Sequence, residues 1–131
     1  MTEFNFDKRY KLCSRKLIDE VYTNGQLIKS YPFVVRVKGT KLPDNSTFQI
    51  VISAPKRSFR KAYQRNRIRR MCKEAIRTNK NIIESFLAET NQQLALFLIF
   101  TGKEEIPLEV LNKKTEKLFH SIVKQLTLHE K

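Results

Sequence analysis

Seven apolar residues without interruption, Leu94–Phe100 (LALFLIF), form the longest such run in the chain. Roughly 20 are needed to cross a bilayer, so the run belongs inside a folded protein. Its length and its leucine, isoleucine and phenylalanine content read as a strand at the centre of a sheet. A central strand demands neighbours, and two segments offer themselves. Residues 31–38 (YPFVVRVK) and 47–53 (TFQIVIS) are rich in β-branched and aromatic side chains, and residues 39–46 between them have loop composition. The two are expected to pair as a hairpin. Alternation then places Phe33, Val35, Val37, Phe48, Ile50 and Ile52 on one apolar face. Val34, Arg36, Lys38, Gln49, Val51 and Ser53 fall on the other, which is mixed and partly charged. The first face packs on a core; the second is either plain solvated surface or a binding floor.

Helical spacing fills in the rest. Ser14 can cap a short helix that carries Leu17, Ile18, Val21 and Tyr22 on one face and stops at Gly25. After Pro55, a long helix is expected to begin near Ser58 or Phe59 and run to about Arg77, with residues 82–88 as its continuation or a second helical piece. Pro107 suits the first turn of a last helix, with Leu108, Leu111, Thr115, Leu118, Ile122 and Leu126 along one side. The predicted order is α-β-β-α-β-α, an α+β fold of the α/β-sandwich kind. The 131 residues suffice for one domain, 1–131, with flexible ends expected over 1–11 and 128–131.

Charge narrows the function. Lysine and arginine number 26 against 13 acids, a formal net charge of +13. Such self-repulsion is offset by a polyanionic partner, and nucleic acid is the first candidate. Cys13 and Cys72 stand alone, so neither a zinc site nor a disulfide framework is encoded, and both read as small buried thiols. Residues 1–7 carry two acids and no Lys or Arg, unlike a secretory signal, so the cytoplasm is the expected compartment.

The cations are concentrated. Residues 56–80 hold eleven of them (Lys56, Arg57, Arg60, Lys61, Arg65, Arg67, Arg69, Arg70, Lys73, Arg77 and Lys80) against one acid, Glu74. Projection at ~100° per residue puts Ile68, Met71, Cys72, Ala75 and Ile76 on one arc that must face the core. Arg65, Asn66, Arg69, Arg70, Lys73 and Arg77 fall opposite, with Arg67 at the border. An ordinary solvated face mixes signs, because like charges four residues apart repel; Arg65, Arg69 and Lys73 form such a row. Arginine predominates, and its fork matches phosphate oxygens in pairs. A basic helix for anionic membranes is set aside, because its apolar arc is needed for the core.

The run Lys61-Ala62-Tyr63-Gln64-Arg65-Asn66-Arg67-Ile68-Arg69-Arg70 resembles the signature "RNR" helix of the bacterial ribonuclease P protein subunit. Segments 17–25 (LIDEVYTNG), 33–36 (FVVR), 52–57 (ISAPKR) and 94–100 are similar to that family in the same order. The resemblance implies a small basic protein that binds one catalytic RNA and helps it remove the 5′ leader of precursor tRNA. The chemistry, with its Mg²⁺, then belongs to the RNA, and no catalytic or metal-binding side chain is expected in the protein. It further implies that the RNA lies along Lys56, Arg57, Arg60, Lys61, Arg65, Asn66, Arg67, Arg69, Arg70, Lys73 and Arg77. The leader is expected in a cleft floored by the sheet and edged by the first helix, at Ile18, Tyr22, Arg36 and Ser53. A left-handed β-α-β crossover is implied too, against the usual right-handed preference.

The chain also departs from the family pattern. Two aromatics are common on the first helix, where Ile18 and Tyr22 stand here; Arg36 replaces a frequent aromatic on the first strand. Tyr22 is thus the main stacking platform expected, with Arg36 able to stack or to pair with phosphate. Arg60-Lys61 replace a common Gly-Asn, adding charge at the helix entrance. The rival reading is a ribosomal RNA-binding structural protein, which needs the arginine helix but not the polar sheet face. A protein-only nuclease would need clustered carboxylates or a paired acid and base. Here the acids are scattered, and His120 and His129 lie far along the sequence from the basic segment.

Overall fold

The computed structural model describes residues 10, 12, 14–42, 47–56 and 59–129. Its order is α1 (Arg15–Asn24), β1 (Gln26–Ser30), β2 (Phe33–Gly39), β3 (Phe48–Ser53), α2 (Ala62–Thr90), β4 (Leu94–Phe100) and α3 (Leu108–His129). The α+β class is as expected, but the element order is α-β-β-β-α-β-α, one strand more than the sequence pattern suggested.

That strand is β1. QLIKS lacks alternation, and it becomes a strand because β2 offers an edge. The two pair antiparallel from Gln26↔Val37 to Ser30↔Phe33, burying Ile28 in the core. The expected hairpin is also corrected. Strands lie in the order β1-β2-β4-β3, so β4 sits between the supposed partners. It runs antiparallel to β2 (Phe33↔Phe100) and parallel to β3 (Phe48↔Leu94). The physical reason is burial: β4 has no polar side chain on either face, so it takes the position with most cover. Parallel neighbours need a long crossover, and α2 supplies one of about 44 Å.

Helices α2 and α3 cover one sheet face. Ile68, Cys72, Ala75, Ile76, Ile83 and Leu87 of α2, with Leu111, Leu118, Phe119 and Ile122 of α3, meet Phe33, Val35, Val37, Phe48, Ile50, Leu96, Leu98 and Phe100. Residues 62–77 and 82–88 are thus one helix. It starts later than expected because Phe59 is buried against Phe100, ring centroids 6.0 Å apart, and pins the chain ahead of it. On α3, Leu111, Thr115, Leu118 and Ile122 are buried as predicted, but Leu108 is exposed at the helix start, beyond the core's edge.

The opposite face is partly roofed by α1. Ser14 caps that helix, its Oγ accepting from the Leu17 N–H at 3.2 Å. Val21, Leu17 and Ile18 settle on Ala95, Phe97 and Val51 in a small second cluster. Gly25 ends the helix by donating its N–H to Val21 O at 2.8 Å. A Cβ there would lie 2.4 Å from that carbonyl and 3.2 Å from the Arg36 Cβ, so only glycine lets α1 stop this close to β2.

Lys80 leaves the basic face. It is 5% exposed, with Nζ 4.7 Å over the Tyr10 ring and donating to the Tyr10 hydroxyl at 3.3 Å. That hydroxyl and the Thr47 hydroxyl both donate to Glu84, at 2.7 and 3.0 Å. Of the ends expected to be flexible, residues 1–9, 11, 130 and 131 lie outside the described residues; Tyr10 packs on Phe48 and α3 runs to His129. Among the described residues, no helix is long and apolar enough to cross a membrane.

Candidate nucleic-acid interface

Two surfaces carry the candidate residues. The first is the solvent side of α2's first half. Burial of Ile68, Cys72, Ala75 and Ile76 fixes the rotation of the helix and turns the cations outward. Lys56, Arg60, Lys61, Asn66, Arg67, Arg70 and Lys73 are exposed; Arg65, Arg69 and Arg77 are half-buried. Arg57 and Cys13 lie outside the described residues.

The cations are not equivalent. Among the described residues, Arg60, Arg70 and Lys73 make no ion pair. Arg65 turns back on the chain, its Nη1 donating to Phe59 O at 2.8 Å and Arg60 O at 2.9 Å. It therefore braces the entrance to α2 and has only part of its guanidinium left for a ligand. Arg67 pairs with Glu105, Nη1 to Oε1 at 3.1 Å and to Oε2 at 3.4 Å. Arg69 donates to Asn66 Oδ1, and Arg77 pairs with Glu74 one turn back. The Arg77 hydrogen bond holds the Glu74 carboxyl below the usual carboxylate range.

Beneath this face, burial pushes the Cys72 thiol up to about 12, so it is an inert packing group. His120 is exposed on α3. Among the described residues, no three His, Cys, Asp or Glu side chains come together as a metal site.

The second surface is the sheet face beside α1. Tyr22 is 52% exposed, so it is not a core residue. Its ring lies 5.4 Å from Phe97, tilted by 56°, and the Arg36 guanidinium sits 5.2 Å from its centroid. Register makes the cluster: Arg36 faces Phe97 across the β2–β4 pair and lies directly against Gly25, where α1 ends. Ser53 pairs with Ile99, two residues along β4 on the same face. Ile18 is half-buried and committed to the α1 cluster, so less of it is available than of Tyr22.

Sequence reasoning missed Phe97. In an all-apolar strand no contrast marks which side chain faces out; the pairing assigns Leu94, Leu96, Leu98 and Phe100 to the covered core and leaves Phe97 beside Tyr22. The small Ala95 next to it, buried under α1, was the available signal.

A family model described as Ribonuclease P matches residues 6–123. A ribonuclease P protein component from Porphyromonas gingivalis is 29% identical over 104 residues, covering 79% of this chain and 75% of its own. One from Pseudoalteromonas translucida is 28% identical over 122 residues, covering 93% and 80%. Among solved structures, the RNase P protein of Staphylococcus aureus superposes with a TM-score of 0.69 at 19% identity, covering 88% of this chain and 96% of that one. That of Thermotoga maritima gives 0.67 at 20%, covering 85% and 96%. At such identities these two structures speak for the fold.

Proposed function

The chain belongs to the Ribonuclease P protein family, and on that premise we propose that it is the protein subunit of a ribonuclease P ribonucleoprotein, acting in the cytoplasm. Its α2 face binds the catalytic RNA. The sheet face beside α1 receives the 5′ leader of precursor tRNA, whose removal gives the mature 5′ end. The observation that carries this reading is the row of outward cations along α2 and its entrance, with no acid to neutralise Arg60 ahead of the helix or Arg70 and Lys73 on it among the described residues. Guanidinium and ammonium groups on a fixed helix neutralise phosphates, release counterions and set the register of the bound strand.

The second surface fits an unpaired strand. Tyr22 and Phe97 offer ring faces and edges to bases, while Arg36 on β2 supplies charge for the backbone; Lys38 on the same strand pairs with Glu20 at 3.6 Å. A structural RNA-binding protein of the ribosome has no need of that second surface.

The chemistry is assigned to the RNA. A divalent ion such as Mg²⁺ takes hard oxygen ligands. The carboxylates beside the α2 face, Glu74 and Glu105, are each bound to an arginine, so the residues present do not fit that ion. The test is cleavage of 5′-labelled precursor tRNA. The protein alone releases no leader at any Mg²⁺ concentration, and it stimulates cleavage when the catalytic RNA is added. Leader release by RNA-free protein, abolished by one Asp or Glu substitution, would overturn this. So would recovery from cells of ribosomal RNA without a ribonuclease P RNA.

A smaller effect follows from the Arg67–Glu105 pair. In Glu105→Gln the guanidinium no longer divides its hydrogen bonds between an acid and phosphate. Exposed pairs of this kind contribute roughly 0.2–1 kcal/mol, so affinity for the catalytic RNA rises about 1.5- to 5-fold in a filter-binding titration. Weaker binding would mean that Glu105 positions Arg67 for its ligand.

A further inference from the structure

We propose that Tyr63 is a stacking platform for one unpaired base of the RNA held by α2. This rests on the RNA-binding reading and deepens it: the helix recognises a bulged or looped nucleotide as well as a backbone. Tyr63 lies in the first turn of α2 and is 57% exposed. It belongs to neither apolar cluster, and among the described residues its hydroxyl has no hydrogen-bond partner. Only the covered part of so exposed a ring contributes to folding through the hydrophobic effect, and much of it stays accessible to a ligand.

Two cations lie over the ring, and one of them, Arg67, also pairs with Glu105. Lys61 Nζ lies 5.9 Å from the ring centroid, and Arg67 Cζ lies 6.0 Å from it. Arg67 and Arg70 follow Tyr63 by four and seven residues, so the ring continues their face of the helix. Long cationic side chains over an exposed ring are suited to nucleic acid: they turn out to phosphates on either side as the ring takes the base between them. Duplex RNA hides its bases in a deep, narrow groove, so the base that reaches Tyr63 must be unpaired.

Titrations of the whole chain with the ribonuclease P RNA of its own organism, over a series of salt concentrations, test this. Tyr63→Leu keeps an apolar side chain of good helical propensity but no stacking face. It is expected to bind about 5- to 150-fold more weakly with an unchanged salt slope, because no phosphate contact is lost. Tyr63→Phe binds like the parent. Arg70→Ala weakens binding and reduces the slope by about one. Chemical probing of unpaired bases should show one nucleotide protected by the parent and by Tyr63→Phe but reactive with Tyr63→Leu. Parent-like affinity and protection for Tyr63→Leu would overturn the platform, as would a loss accompanied by a smaller slope, which would mean that the ring merely places Lys61 and Arg67. If Arg70→Ala also binds like the parent, it is the RNA-binding reading of α2 that falls.

Discussion

Raising the salt from about 50 to 200 mM weakens the complex with the catalytic RNA by roughly 10³–10⁵-fold, the loss that accompanies release of counterions from 6–10 phosphates. The structure apportions that effect. Arg70→Ala removes an exposed cation with no partner among the described residues, so it lowers affinity and takes about one unit from the salt slope without changing the melting temperature. Arg65→Ala behaves differently, although both arginines lie on one helical arc. It strips the Phe59 and Arg60 carbonyls of their donor, so it loosens the entrance to α2, and the melting temperature falls along with RNA affinity. Binding titrations across the salt series, each with a melting curve, separate the two. A flat salt response would exclude the α2 face as the contact surface.

The second large effect is on discrimination between precursor and mature tRNA. Tyr22→Ala removes the ring between Phe97 and Arg36. Loss of one stacked base typically costs ~1–3 kcal/mol, so the preference for the precursor falls by about 5- to 150-fold. Assembly with the catalytic RNA stays near the parent level, because Tyr22 sits on the sheet side of the molecule rather than on α2. Half-exposure of the ring limits any loss of stability, which a melting curve verifies. Phe97→Leu should move in the same direction, since Phe97 is the ring against which Tyr22 is held. If Tyr22→Ala instead abolished assembly while Arg70→Ala changed only leader discrimination, the two faces would be assigned the wrong way round.

The candidate site was legible where a single element carries the signal. The arginine arc needs only the rotation of one helix, and rotation follows from Ile68, Cys72, Ala75 and Ile76, apolar residues at helical spacing. Individual roles along that arc were not legible. Arg65 bracing Phe59 and Arg60, and Arg67 meeting Glu105, depend on a loop and on a residue 38 positions away. Lys80 reads as one more surface cation until the Tyr10 ring and hydroxyl are seen to enclose it.

What the sequence by itself determined is everything set by local pattern: the α+β class, the Ser14 cap, the glycine stop, the β4 strand to its end residues, the inward arc of α2 and the surplus of charge opposite it. Tertiary structure alone decided which strands pair, that QLIKS is a strand at all, and that Phe97 joins Tyr22 and Arg36. The reason is that a strand's partner, unlike a helix's hydrogen bonds, lies elsewhere in the chain. The loop between β2 and β3 suited a hairpin equally well, but β4, apolar on both faces, loses most if left at an edge, and its burial between them placed every residue of the sheet surface.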